Sequence, residues 1–112
     1  MTLQHRNLAE GRWDDLSLVE KMANVGSEIE RALKWKTKAN KEYSDKACER
    51  ALELLDLTLD SVKNGSSLKE IARVREAVVD YFYGTNEYSS SEESWRSYFL
   101  EFACAAREFG RA

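Results

Sequence analysis

Proline is absent from this chain, histidine occurs once and cysteine twice. No run of ~18 apolar residues is present either. Each absence excludes something. Without proline no helix is broken from within, and the five glycines lie mostly near the boundaries of helix-like segments. Without a long apolar run nothing is expected to span a membrane. The opening segment, MTLQHRNLAEGRW, lacks the apolar centre of a secretory signal. The single histidine, His5, falls in a polar N-terminal arm, residues 1–12, so neither a zinc site nor a histidine-dependent triad is expected. Cys48 and Cys104 have no partner at metal-ligand spacing and read as two reduced thiols of a cytoplasmic protein. Strand signals are missing as well, because no stretch alternates apolar and polar residues over several positions.

What is present is helix. The chain has 112 residues, 43% hydrophobic and 33% charged, which fits one domain over residues 13–112 following the arm. A net charge of −3 argues against a broad basic surface, so a nucleic-acid partner is not expected. Four amphipathic segments follow one another. The first spans about Leu16 to Lys38, opened by the capping-box pattern Ser17-Leu18-Val19-Glu20. The second spans about Lys41 to Lys63, with Ala47, Cys48, Ala51, Leu52, Leu55 and Leu59 on one face, and Asn64-Gly65 as its left-handed stop. The third opens on Ser67-Leu68-Lys69-Glu70 and closes at Gly84. The fourth follows Ser90-Ser91-Glu92-Glu93 and carries Trp95, Tyr98, Phe99, Phe102 and Phe109. Short links favour an all-α, antiparallel up-down-up-down four-helix bundle, with the aromatics of the fourth helix facing the small residues of the second.

One charge interrupts an apolar face. Arg75 falls among Leu68, Ile71, Val78, Val79 and Phe82, where an unpaired guanidinium would be costly. An acidic stripe on the second helix offers partners, and Glu49, Glu53 and Asp56 are the candidates for a structural ion pair that holds helix register. The same three carboxylates are the candidates for a metal site, with Arg73 and Arg75 as phosphate ligands. All-α nucleotide pyrophosphatases build a magnesium site from such a carboxylate pair together with two glutamates on a neighbouring helix. Here the first helix offers Glu20, Glu28 and Glu30 without that spacing, so the resemblance covers one motif of two.

Large apolar groups also fall on outward faces. Trp35, Leu57, Leu100 and Cys104 are the candidates for a self-association surface. The loop from Gly84 to Ser91 follows an aromatic run and supplies a candidate rim of Tyr81, Tyr83, Asn86 and Tyr88. Tyr88 is expected to plug one end of the bundle.

The phrases ANVGSEIERALKW, ERALELLDLTLD and REAVVDYFYGTNEYSSSEES resemble a family of small uncharacterised prokaryotic helical-bundle proteins. More distantly, the chain resembles HEPN-type bundles, which include RNases and the partners of small nucleotidyltransferases. Those RNases carry a histidine shortly after an arginine. Here Arg75-Glu76-Ala77-Val78-Val79-Asp80 keeps the arginine and has Asp80 at the histidine position, which removes the group that exchanges a proton near neutral pH.

These readings converge on a non-catalytic, homodimeric interaction module with no cofactor, acting on itself or on a protein partner. The alternatives are a magnesium-dependent phosphate hydrolase using the acidic edge of the second helix, and a nucleic-acid or nucleotidyltransferase partner.

Overall fold

The computed structural model describes residue 13 and residues 15–110. They form four helices, α1 (Leu18–Thr37), α2 (Lys41–Ser61), α3 (Gly65–Tyr83) and α4 (Glu92–Gly110), and no strand is found among them. The expected arm, residues 1–12 with His5, lies outside the described residues.

Local chemistry sets the boundaries. The Ser17 hydroxyl accepts from the Glu20 N–H at 3.1 Å, and the Glu20 carboxylate accepts from the Ser17 N–H at 3.1 Å, so two orphan donors are satisfied reciprocally. Asn40 caps α2 by accepting from the Tyr43 N–H at 3.1 Å. The start of α3 differs from expectation. Asn64 is extended at φ −83 and accepts from the Ser66 N–H at 2.9 Å, so it opens α3 instead of closing α2. The helix therefore begins at Gly65, and Ser67 is already inside it. Asn and Ser compete to cap the same helix, and the upstream one wins because it adds nearly a turn of backbone hydrogen bonds. At α4 the cap is likewise a serine pair, with Ser91 and Ser94 exchanging hydrogen bonds at 2.8 and 3.0 Å.

The helices pack as close pairs, α1 with α2, α1 with α4, and α2 with α3, while α3 and α4 stand apart. The core is built from Met22, Val25, Ile29 and Leu33 of α1, Ala51, Leu54 and Leu55 of α2, Ile71 and Val78 of α3, and Trp95 and Phe99 of α4. Small residues on α2 bring it close to α1. The buried Ser44 hydroxyl donates to the Ala32 carbonyl at 2.9 Å, and Lys21 Nζ donates to Ser61 Oγ at 2.7 Å at the other end of the pair. Trp13, fully buried, donates its indole N–H to Thr58 Oγ1 at 3.3 Å and closes that same end.

The expected opposition of α4 aromatics and α2 alanines is not what forms. Phe99 packs instead on Gly26 of α1, where an added Cβ would meet Phe99 Cβ at 2.8 Å. A residue without a side chain is what lets α1 and α4 approach there.

Candidate functional site

The unequal packing leaves two hollows flanking α4. One lies between α1 and α4, about 680 Å³ in volume. Its wall of small residues comes from Ala23, Gly26 and Ser27 on α1 and Ala103 on α4. Leu100 stands at its edge, 61% exposed, the most exposed large aliphatic or aromatic side chain among the described residues. Arg96 spans the opposite part of the groove. Its Nε lies 3.0 Å from Glu30 and its Nη2 3.2 Å from Glu92, and hydrogen bonding to Glu30 raises the guanidinium pKa further above its already high value.

The second hollow, about 540 Å³, separates α3 from α4. Val74, Ala77 and Trp95 supply apolar surface, and Lys69, Glu70 and Arg73 bring charge to it. Two phenols brace the walls. Tyr98 donates to Glu70 across the cleft at 2.7 Å, and Tyr88 donates to Glu76 at 2.9 Å. Burial and then the Glu70 contact push the Tyr98 phenol well above its ordinary range. Trp95 borders both hollows, and its indole N–H is buried with no acceptor among the described residues. An orphan of that kind costs about 1–3 kcal/mol, so α4 is seated at some expense.

The structure scatters several residues that the sequence groups together. Arg75 turns to α2 and pairs through Nε with Asp56 at 2.6 Å, both side chains being substantially exposed. Arg73, two positions away, lines the cleft to α4, so the two arginines do not converge on one phosphate. Glu49 and Asp56 are exposed while Glu53 is buried. Among the described residues no three His, Cys, Asp or Glu side chains are arranged to hold a metal ion.

Trp35 is half-buried, its ring meeting Tyr43 edge-on at 4.9 Å, and Leu57 packs against the core. Only Leu100 and Cys104 of the four outward candidates are fully on the surface.

The loop tyrosines also part company. Tyr81 packs against Trp95 and Phe82, with Lys36 Nζ 4.1 Å from its ring centre. Tyr83, half-exposed, lies beside Cys48, whose thiol burial pushes up to about 11. Tyr88 is no plug: it lies exposed along α3 at the mouth of the cleft. Asn86, at φ 59, closes the loop by exchanging hydrogen bonds with Ser90, both at 2.9 Å. Asp80, at the histidine position of the RNase pattern, accepts from the Glu87 and Tyr88 N–H groups at 2.8 and 3.0 Å. Its carboxylate is thus taken up in holding the loop.

Glu28 of α1 carries a charge and is nonetheless buried. One oxygen accepts from Arg31 at 3.0 Å, and the other lies 3.7 Å from Arg50 without a hydrogen bond. The clue available in the sequence is Arg50, one helix away at the level where α1 and α2 meet. Comparison with protein families, with curated proteins and with solved structures gives no match.

Proposed function

We propose that the protein is a non-catalytic interaction module that assembles as a homodimer through the outer face of α4 and its groove against α1. One observation carries this reading: Leu100, 61% exposed, stands beside a hollow walled by small side chains on the same face. Knob and hole on one surface are what a two-fold contact needs, since each copy's leucine can enter the other copy's groove. Cys104, one turn further along, belongs to the same face of α4 and extends it.

The antiparallel up-down-up-down order belongs to this reading. It is supported by the pairing of Lys21 with Ser61 and Ser44 with Ala32 between α1 and α2, and of Thr37 with Glu92 and Glu30 with Arg96 between α1 and α4. A cytoplasmic location accords with two free thiols and with the finding that no described helix is long and apolar enough to cross a membrane.

Sedimentation equilibrium of the parent and of Leu100→Glu tests the assembly. Burying one leucine from each copy contributes about 3–6 kcal/mol in total, so the variant is expected to dissociate at least about 100-fold more readily. Its helical content should be unchanged, because the side chain is exposed. A monomeric parent at every concentration, or a variant that dimerises as the parent does, contradicts the reading.

A further inference from the structure

The corner where α1 hands over to α2 concentrates charge of one sign. Seven cations and three carboxylates lie between Arg31 and Arg50, in a chain whose net charge is −3. The turn itself is rigid. The Ala39 N–H donates to the Lys36 carbonyl at 3.0 Å and the Asn40 N–H to the Trp35 carbonyl at 2.9 Å, a Schellman closure with Ala39 left-handed at φ 58.

Helix electrostatics account for only part of this charge. Lys34 and Lys36 occupy the last turn of α1, where cations complement the negative end of the dipole. Lys41 does the reverse: it is the first residue of α2, where the dipole and free N–H groups are already positive, while Lys46 lies a turn further on, beyond the reach of either. Their partners Asp45 and Glu42, at 2.7 and 3.4 Å, are surface pairs that contribute little. Helix electrostatics therefore account for Lys34 and Lys36, two of the seven cations, and run against Lys41.

Two aromatic rings sit within it. Trp35 and Tyr43 meet edge to face, and Lys34, Lys38 and Lys46 carry their Nζ atoms to 5.6, 5.3 and 5.9 Å from one or other ring centre. Together with Arg31 and Arg50 the two rings line a hollow of about 260 Å³. The buried Glu28 carboxylate hydrogen-bonds Arg31 at 3.0 Å and lies 3.7 Å from Arg50, so it holds negative charge behind both guanidinium groups.

We infer that this corner binds single-stranded nucleic acid, the cations engaging phosphates while Tyr43 and Trp35 receive bases. Cations alone would suit any polyanion. Cations set beside rings, Lys34 and Lys38 at Trp35 and Lys46 at Tyr43, match a ligand that itself alternates charge with flat π-faces. A duplex hides those faces and an acidic peptide lacks them. The site is separate from Arg73 and Arg75, and does not depend on the dimer.

Fluorescence anisotropy with a labelled mixed-sequence RNA of about 12 nucleotides tests it, with Lys34→Glu/Lys38→Glu and Tyr43→Ser as variants at exposed positions. Binding is expected at about 20 mM salt and should weaken with a log–log slope of about −2, the value for three phosphate contacts on a single strand. The double lysine variant should lose affinity about tenfold or more and flatten that slope. Tyr43→Ser should lose about fivefold or more with the slope unchanged, because it removes stacking and no charge. The matching single-stranded DNA should bind comparably, and the RNA duplex and polyglutamate at least about tenfold more weakly. No binding at low salt, binding indifferent to both variants, or polyglutamate bound as tightly as RNA would each overturn the inference, the last by making the corner a seat for an acidic protein.

Discussion

The α1–α2 pair and the α3–α4 pair are built from helices of similar length, yet they pack to different standards. Along α1 and α2 the buried apolar positions are small or aliphatic, and two polar side chains bond across the seam, Ser44 to the Ala32 carbonyl and Lys21 to Ser61. Along α3 and α4 the side chains are larger, only Ile71, Val74, Val78, Trp95 and Phe99 are buried among the described residues, and a hollow of about 540 Å³ remains. Small residues let backbones close up, whereas large rings such as Tyr81 of α3 and Trp95 of α4, centroids 6.2 Å apart, hold two helices at arm's length. The tight pair is a scaffold. The loose pair leaves surface unburied, and that surface is where a partner gains most by binding.

The largest expected effect lies in the tight pair. Leu55→Ala, at a fully buried position, should cost about 3 kcal/mol in urea unfolding, with the transition remaining cooperative. A loss under about 1 kcal/mol would mean that α2 is not the close-packed element described here.

A paired substitution sharpens the contrast. Ala51→Leu on α2, where there is no free volume, should destabilise by about 1–3 kcal/mol. Ala77→Leu fills the α3–α4 cleft and should be neutral or stabilising by up to about 1 kcal/mol. Equal costs would erase the distinction between the two halves.

The two thiols report on the same difference. Cys104 on α4 should react with a disulfide reagent at once, and Cys48 on α2 only as the protein unfolds. Burial raises Cys48 from the ordinary 9.0 to about 11 in the folded state, so the folded protein holds that proton more tightly than the unfolded chain. The stability this contributes is whole below pH 9 and is lost as pH climbs through about 11. Chemical unfolding at a series of alkaline pH values should show that decline, and Cys48→Ala should make it shallower, the raised Tyr83 and Tyr98 phenols supplying the remainder.

The smallest effect falls on the turn. Ala39 is left-handed at φ 58, so Ala39→Gly should stabilise by about 0.5–1 kcal/mol in the same urea assay.

The sequence makes the helices legible for a simple reason: spacings such as Met22, Gly26, Ile29 and Leu33 report one face directly, and Ser17 with Glu20 marks a start chemically. Competition is harder to read. Asn64 and Ser67 are both good caps, and only the structure shows that the first prevails. Burial of charge is harder still, since Glu28 lies off the apolar stripe and is buried because Arg31 and Arg50 meet it across two helices. The α3–α4 cleft is a property of how four faces close together, which no single face records. The basic corner was hidden by the net charge, because the acidic residues elsewhere outweigh the run of lysines around Trp35.

Amide hydrogen exchange at low and high protein concentration tests the central claim most directly, comparing about 5 µM with about 500 µM. If a second copy covers the outer face of α4, the amides from Trp95 to Cys104 should gain protection at the higher concentration, while those of α2 from Ala47 to Leu55 exchange slowly and equally at both. Identical exchange of α4 at the two concentrations would contradict the account.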